Sequence, residues 1–348
     1  MKRYFKKIKY ILNVFHWFVW YNLWHGESKK VWHLIKVLLK HLFIGTPYAA
    51  IIETGNTCNF SCPTCPTPHQ LIYQRRKPQL MDLEKFKNII DKIKNDVHII
   101  YLYNANEPLL HPKIVEMIKY ASANNLHTMI STNCSLLDEK KSEEILNSGL
   151  GEIRFAFDSL KKESFEKFRR DGNFEIIKTN IERFCQIKQK FKKYRPITTL
   201  QFILNKLNQD EIPAIKNFCQ ENKIDKLYIK PFVLSEYAYT KKEIRELSAK
   251  FFPDKDVYDE DIIIYKKDSQ GLKPRKRFKK CRDVKRVFTI LADGRAIICC
   301  FDLFGDYVYG KLAKENFRKI WFSKKAKKIR KMAFRRKLPL CKICANIE

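Results

Sequence analysis

Between residues 48 and 232 the sequence alternates short apolar segments with longer amphipathic ones, and this alternation constrains the fold more than any other feature. Strands are predicted, in chain order, at 48–54, 97–103, 126–132, 152–158, 198–204 and 226–232. Helices are predicted at 82–95, 112–124, 138–147, 161–170, 173–190 and 209–221. Strands that are apolar on both faces and alternate with helices indicate a parallel sheet covered by helices.

The number of these units predicts the class of fold. Six strand–helix units indicate an α/β protein with a partial (β/α)6 TIM-like barrel, because a complete barrel of eight units typically takes about 250 residues. The periodicity leaves open a second architecture, an open doubly wound sheet. In both, the functional site lies at the carboxyl ends of the strands.

Composition and pattern divide the chain into four segments. These are an N-terminal amphipathic helical extension at 1–47, the core domain at 48–235, a linker at 236–272 and a small C-terminal α+β domain at 273–348. The linker is rich in charge and includes a weak helical pattern at 240–250. In the last segment, residues 288–300 predict a hairpin that turns at Asp293-Gly294.

The N-terminal extension combines aromatic and basic residues. Residues 10–24 are dense in aromatics, and residues 31–43 are apolar but carry Lys36 and Lys40. Neither uninterrupted apolar run reaches the roughly 20 residues that span a bilayer. Aromatics beside lysines suit a helix that lies on an anionic membrane surface. The alternative is a helical extension that packs against the core.

The chain is strongly basic, with 69 Lys and Arg against 38 Asp and Glu and a formal net charge of +31. Such a charge indicates an anionic neighbour or an organism that favours lysine. Much of it lies at 273–280 and on a basic helix predicted at 314–337. Base-stacking aromatics at regular intervals are missing from this helix, so nucleic acid is an unlikely partner.

The cysteines carry the strongest functional signal. The chain has 11 of them and shows no cleavable signal peptide, so we expect a cytoplasmic, reducing location in which clustered thiols bind metal. Cys58, Cys62 and Cys65 follow the first strand at spacing C-x3-C-x2-C. Structural zinc sites and simple ferredoxin clusters take four protein ligands. Three ligands leave one metal position free for a molecule that is not protein.

This motif, CNFSCPTC after the first strand, resembles the signature of the radical S-adenosylmethionine superfamily. The resemblance implies that Cys58, Cys62 and Cys65 hold a [4Fe-4S] cluster to which S-adenosyl-L-methionine binds. An electron, from a partner such as flavodoxin or ferredoxin, then cleaves the nucleotide to a 5′-deoxyadenosyl radical that abstracts hydrogen from a substrate. Thr64 departs from the pattern, because many members have an aromatic there, so adenine contacts are expected elsewhere.

Further segments resemble the stretches with which that family contacts its nucleotide. YNANEPLL at 103–110 resembles the GGEP stretch after the second strand, which implies that Asn106 lies in the turn and that Glu107 holds the amino group. STNCSLL at 131–137 implies a contact from Ser131 or Asn133, with Cys134 at a glycine position.

After the fourth strand, Asp158 and Ser159 resemble the ribose contacts of the family, although an aspartate there is also a helix N-cap. In the fifth strand, Gln201 and Asn205 are candidates to face the mouth of the barrel. The sequence does not assign a catalytic side chain.

A second set of cysteines lies near the C-terminus. Cys281, Cys299, Cys341 and Cys344 have the spacing C-x17-C-x41-C-x2-C, and both zinc and iron–sulfur are chemically open to four thiolates. The region around 293–321 resembles the SPASM or twitch domains of radical enzymes, which implies an auxiliary [4Fe-4S] cluster. Cys299 fits the ligand position after the hairpin better, and Cys300 is the second choice.

These observations predict a radical SAM oxidoreductase or maturase with two [4Fe-4S] clusters, the auxiliary one assisting oxidation or substrate binding. The resembling families modify peptides, protein residues or small alcohols, so we expect a peptide or a glycan-related small molecule as substrate. Peripheral contact with the inner face of an anionic membrane is a further expectation. The alternative is a non-enzymatic zinc protein with a basic face that binds nucleic acid.

Overall fold

The computed structural model describes residues 19–66, 72–73, 75–234, 239–254, 265–268, 271–274, 280–312 and 314–344. Its main sheet has nine strands in the order β11-β10-β9-β1-β2-β3-β4-β5-β6. Their bounds are β1 Ala49–Ile52, β2 Ile99–Tyr101, β3 His127–Thr132, β4 Glu152–Ala156, β5 Ile197–Ile203, β6 Lys226–Lys230, β9 Val287–Ile290, β10 Arg295–Ile297 and β11 Val308–Lys311. A separate antiparallel pair consists of β7 Tyr265–Asp268 and β8 Gly271–Pro274.

Helices cover this sheet. Their bounds are Ser28–Phe43, Leu83–Ile93, Ile114–Ala123, Glu139–Leu146, Lys162–Phe168, Phe174–Lys190, Ile212–Glu221, Lys241–Phe251, Asp283–Arg286, Phe317–Phe322, Lys324–Phe334 and Pro339–Ile343. The helix Leu83–Ile93 shows why they form: Asp82 caps its first turn by accepting from Glu84 and Lys85 N–H groups. Its buried residues Phe86, Ile89, Ile90 and Ile93 recur at helical spacing and face the sheet.

Strands β1 to β6 are all parallel, as predicted, and form the partial barrel of the expected fold class. Each of these six strands lies within a predicted segment or within one residue of it. Because the strands are parallel, the loops that follow β1, β2, β3 and β5 meet at the same edge. The cysteine loop at 58–65 therefore lies beside the turns at 103–107 and 131–133.

The C-terminal hairpin continues this sheet. β9 pairs in parallel with β1, and β10 returns antiparallel to β9. The turn between them contains Gly294, whose φ of +87° lies in the region that glycine adopts readily, as the hairpin prediction requires.

The predicted basic helix at 314–337 is wrong in one respect, since the structure has two helices there. Helix Phe317–Phe322 ends at Ser323, and the Ser323 hydroxyl accepts from the Ala326 N–H at 3.1 Å to start helix Lys324–Phe334. A serine at this position favours the start of a new helix, because its hydroxyl accepts from an N–H group of the first turn that would otherwise have no acceptor.

The predicted linker also contains more order than expected. Its helix is present as Lys241–Phe251, with a capping box between Thr240 and Glu243. The strands β7 and β8 were not predicted, because they contain no β-branched residue and include lysine, aspartate, glycine and proline, which are depleted in strands.

The N-terminal extension packs against the amino-terminal side of the barrel. Helix Ser28–Phe43 buries Val31, Leu34 and Val37, and His33 Nδ1 lies 2.8 Å from His98 Nδ1. Residues 1–18 of the predicted extension lie outside the described residues. Within the part of the chain that the structure describes, no helix is long and apolar enough to cross a membrane.

Candidate functional site

The first cysteine trio faces a cavity of about 330 Å³ at the carboxyl edge of the sheet. Cys58, Cys62 and Cys65 all line it. Burial raises the pKa of Cys58 to about 12 and that of Cys62 to about 11, so the thiolates need a positive partner. The Arg169 guanidinium, with Nη1 4.0 Å from Cys62 Sγ, supplies part of that charge.

The cysteine loop is fixed by contacts to neighbouring segments. The Phe60 ring is 3% exposed, and the Ser61 N–H donates to the Arg170 carbonyl at 3.1 Å. The Cys65 N–H donates to the Cys62 carbonyl at 3.1 Å, so the last two cysteines share one turn. The loop is thereby tied to the turn after helix Lys162–Phe168, with all three of its cysteines lining the cavity.

Glu107 lines the same cavity from the turn after β2. Its carboxyl group accepts from the Thr132 hydroxyl and the Asn133 N–H, each at 2.7 Å, and from the Leu109 N–H at 3.0 Å. Burial nevertheless raises its pKa to about 7. Oε2 receives only one of these bonds and can accept a further donor from the cavity.

The turns after β2 and β3 bring Asn106, Ser131 and Asn133 to this cavity as well. Asn106 Nδ2 donates to the Thr54 hydroxyl at 3.0 Å, which ties the second turn to the end of β1. Asn133 Nδ2 donates to Asn59 Oδ1 at 2.9 Å, which ties the third turn to the cysteine loop.

Cys134 takes the conformation that its glycine-like position predicts. Its φ of +64° lies in the left-handed region, where a non-glycine residue is uncommon. Its carbonyl accepts from Asn180 Nδ2 at 2.9 Å, so this turn has support from the helix Phe174–Lys190.

Asp158 and Ser159 are not among the residues that line the cavity. Asp158 is 1% exposed, pairs with Arg169 and accepts from the Ile203 N–H at 2.5 Å. Ser159 donates to Glu211 Oε1 at 2.8 Å. Both side chains therefore serve contacts behind the cavity wall, and Asp158 orients the arginine that approaches Cys62.

The two candidates from the region of β5 also differ in whether they line the cavity. Gln201 lines the cavity. Asn205 does not: its side chain accepts from the Leu207 N–H at 2.9 Å and donates to the Ile203 carbonyl at 3.1 Å, which stabilises the turn after β5.

The second cysteine set converges from three segments of the C-terminal region. Burial raises the pKa of Cys341 to about 11, and the neighbouring Cys281 and Cys344 raise it further. Burial raises the pKa of Cys299 well above its usual range, with Cys300 and Cys344 also contributing. The Cys281 N–H donates to the Phe334 carbonyl at 2.9 Å, so helix Lys324–Phe334 holds the first of these thiols.

Cys300 lies beside Cys299, and burial raises its pKa to about 12, with Cys344 adding to the rise. Both thiols therefore adjoin Cys344, and both line a second cavity. The preference for Cys299 as ligand stays a prediction.

This second cavity, of about 670 Å³, lies inside the partial barrel between the two cysteine sets. It shares six wall residues with the first cavity: Thr64, Pro66, Tyr103, Asn104, Lys230 and Val233. Its other walls include Tyr101, Arg154 and Tyr228. Sequence reasoning missed Arg154, Arg169 and Lys230, although the position of Lys230 at the carboxyl end of β6 was a usable signal.

Comparison with known proteins identifies the family. Residues 52–219 match the family model of the radical SAM superfamily, and residues 281–345 match SPASM, an iron–sulfur cluster-binding domain. The chain belongs to the radical SAM superfamily. The match confirms the resemblance that the cysteine motifs indicated.

The relatives of this radical SAM chain have diverse activities. It is 26% identical over 171 residues to the Fe-coproporphyrin III synthase of Methanosarcina barkeri, covering 49% of this chain and 40% of that protein. It is 26% identical over 175 residues to the PqqA peptide cyclase of Gluconobacter oxydans, covering 50% and 46%. The chain thus spans about half the length of the curated relatives that it matches.

Among solved structures, Streptococcus suis SuiB bound to its precursor peptide SuiA aligns with a TM-score of 0.60. The alignment covers 93% of this chain and 76% of that one, at 17% identity, and it shows a shared fold.

The cofactor predictions follow from the family. A radical SAM domain works with a [4Fe-4S] cluster and S-adenosyl-L-methionine, and a SPASM domain adds iron–sulfur binding. Cys58, Cys62 and Cys65 line the first cavity, and Cys299 and Cys300 line the second, and thiolates are the ligands that such clusters take. Among the described residues, however, no three Cys, His, Asp or Glu side chains are placed so that they could share one metal ion.

Proposed function

We propose that this chain is a radical SAM enzyme that abstracts hydrogen from a substrate bound between its two cysteine sets. The larger cavity is the observation that carries the proposal, because it adjoins Thr64 in the first cysteine loop at one end and Cys299 and Cys300 at the other. A substrate held there is within reach of both centres.

Cys58, Cys62 and Cys65 would hold the first cluster, and Glu107 would accept the amino group of the nucleotide through its free acceptor position. Asn106, Ser131 and Asn133 line the same cavity and offer further polar contacts. The cluster, when bound with S-adenosyl-L-methionine, supplies a 5′-deoxyadenosyl radical for hydrogen abstraction. Arg169 holds positive charge beside Cys62, and the buried wall around it excludes water.

Cys281, Cys299, Cys341 and Cys344 would hold the auxiliary cluster, with Cys300 as the alternative to Cys299. Since Cys299 and Cys300 line the larger cavity, a cluster held there would supply an electron acceptor or a binding position next to the substrate.

The substrate class that we favour is a peptide or protein residue, with a glycan-related small molecule as the second candidate. Two of the similar proteins are a PqqA peptide cyclase and a SuiB bound to a precursor peptide. The larger cavity of about 670 Å³ has room for a side chain and its flanking backbone. We also propose flavodoxin or ferredoxin as the electron donor.

The proposal is tested by anaerobic reconstitution of the purified chain. We expect about eight irons and eight sulfides per chain, as two four-iron clusters require, and 5′-deoxyadenosine on addition of S-adenosyl-L-methionine and dithionite. Cys62→Ala should abolish the product. Cys185→Ala, a buried cysteine of helix Phe174–Lys190, is the matched control and should retain it.

A colourless protein that holds zinc without sulfide would instead favour the nucleic-acid-binding alternative. Wild-type protein that carries both clusters and yet forms no 5′-deoxyadenosine would refute the enzymatic proposal.

For location we propose the cytoplasmic face of an anionic membrane. Several large side chains of the N-terminal extension point outward: Trp24 is 87% exposed, Trp32 63% and Phe43 83%. Trp32, Lys36 and Phe43 recur at helical spacing on the exposed face of helix Ser28–Phe43. Exposed aromatics interspersed with lysine match the chemistry of a lipid headgroup layer.

A further inference from the structure

Lys230 occupies a position that connects the two cavities. It is the last residue of β6 and lines both of them. Tyr228, two residues earlier, lines the larger cavity from the same face of the strand. β6 pairs with β5 so that Lys230 lies opposite Ile203, at the edge where the first cysteine loop lies.

A second cation lies deeper in the same cavity. The Arg154 guanidinium lies 5.8 Å from the centre of the Tyr228 ring, and its Nη1 is 3.3 Å from the Tyr103 hydroxyl. Its charge has a local partner, because Nε donates to Glu152 Oε1 at 2.6 Å. The guanidinium keeps further N–H groups that can bind a second acceptor.

Lys230, unlike Arg154, is not paired with a neighbouring carboxylate in the part of the chain that the structure describes. Among the described residues, no carboxylate oxygen lies within 4.0 Å of the Lys230 ammonium group. Asp283, on another wall of the larger cavity, is already 3.8 Å from Arg286. Burial lowers the pKa of Lys230, and Arg169 and Arg154 lower it further, whereas Cys300 and Asp158 act in the opposite direction without cancelling the shift.

Cations that converge on a half-enclosed cavity are costly unless an anion accompanies them. We propose that Lys230 and Arg154, with the Tyr103 hydroxyl that Arg154 contacts, form a subsite for an anionic oxygen group of the substrate, a carboxylate or a phosphate. This inference rests on the proposed function, because it assumes that the substrate occupies the larger cavity. It narrows the substrate to a molecule that carries such a group near the hydrogen to be removed.

Two sources would supply this chemistry. A peptide offers a carboxylate on an aspartate, a glutamate or its C-terminus, whereas a small-molecule substrate offers a phosphate ester. Lysine and arginine bind both groups through charge-assisted hydrogen bonds, and the tyrosine walls add apolar contact on either side.

The test uses the anaerobic holoenzyme with both clusters and S-adenosyl-L-methionine bound, in about 0.15 M salt to screen distant charges. Calorimetric titration with N-acetylglutamate probes the carboxylate, and titration with phenyl phosphate probes the phosphate. The variants are Lys230→Met, Lys230→Gln and Lys230→Arg. The control is Lys216→Met, which removes the same charge from the exposed face of helix Ile212–Glu221.

We expect one probe to bind the wild type with a Kd below about 1 mM, and Lys230→Met to weaken it at least tenfold, about 1.4 kcal/mol. Lys230→Arg should retain binding within a few-fold, and Lys216→Met should match the wild type. Lys230→Gln removes the charge but keeps a polar side chain, and it should weaken binding to the same extent if the methionine variant fails to fold.

The probe that responds identifies the substrate class. Equal affinities in Lys230→Gln and Lys216→Met, or binding of neither probe by the wild type, would overturn the subsite. Formation of 5′-deoxyadenosine by the same wild-type preparation is measured separately. Its absence would refute the radical proposal, whereas loss of the subsite alone would leave that proposal standing.

Discussion

A buried ion pair beside the first cysteine loop gives the sharpest test of how this fold holds its site. Glu53 follows β1 directly, and its side chain is 0% exposed, while that of Arg76 is 1% exposed. Arg76 Nη1 donates to Glu53 Oε1 at 3.2 Å and to the Leu303 carbonyl at 2.8 Å. Glu53 Oε2 also accepts from the Ala292 N–H at 3.0 Å. The pair therefore joins the end of β1 to the segment after the cysteines and to the C-terminal hairpin.

We predict that Glu53→Gln lowers the free energy of unfolding by about 3–5 kcal/mol, because it leaves the Arg76 charge buried without a counter-charge. The double variant Glu53→Gln/Arg76→Met should lose less than the sum of the two single variants, since no uncompensated charge remains. The matched control is Glu116→Gln, which breaks the exposed pair with Lys113 and should cost about 0–1 kcal/mol.

Urea unfolding of the metal-free chain, followed by circular dichroism under reducing conditions, measures these differences without any contribution from the clusters. A loss below about 1 kcal/mol for Glu53→Gln, equal to that of the surface control, would contradict the argument from burial. Strict additivity of the two single variants would contradict the assigned charge pairing.

Three further predictions concern the clusters, a buried acid and the surface. Cys344→Ser should lower the iron content from about eight to about four per chain, while Cys185→Ser keeps about eight, by iron assay. The buried Glu107 has a pKa raised to about 7 from an ordinary 4.5, so the folded chain keeps a proton that the unfolded chain releases. The stability of the metal-free wild type relative to Glu107→Gln should therefore fall by roughly 3 kcal/mol from pH 4.5 to 7 and level off above, by urea unfolding at stepped pH; a rise would contradict this. Trp24→Ser/Trp32→Ser should abolish co-sedimentation with phosphatidylglycerol vesicles that the wild type shows, and neutral phosphatidylcholine vesicles should bind neither protein.

The strands of the barrel were predictable because their apolar runs are short, separate and interrupted by helical periodicity. The pairing of β9 with β1 was not, because the two strands are distant in sequence and both are buried on both faces. The break at Ser323 shows why a helix boundary is harder to predict than the helix itself. The surrounding lysines favour a continuous helix, and only the cap formed by one residue divides it.

The residues of the candidate site also differ in how well the sequence predicts their positions. The cysteines and Glu107 were predictable because each belongs to a compact motif directly after a strand. Asp158 and Ser159 belong to a similar motif, yet Arg169 and Glu211 draw their side chains behind the wall. Those partners come from other helices and turns, so the motif itself carries no trace of them.

The shared sheet explains how one chain can hold two metal centres at a fixed separation. The first cysteine loop follows β1, and Cys299 and Cys300 follow β10, which lies two strands away across β9. Neighbouring strands are about 4.8 Å apart, so these two attachment points are offset by about 10 Å across the sheet. Because β10 runs antiparallel to β1, they also lie at opposite ends of the strands. The larger cavity is lined by residues of β1, of β9 and of both cysteine segments, among them Ile51, Val287, Thr64 and Cys299. Under the proposed function, a substrate in this cavity would lie between the two centres, with its position relative to both set by the sheet.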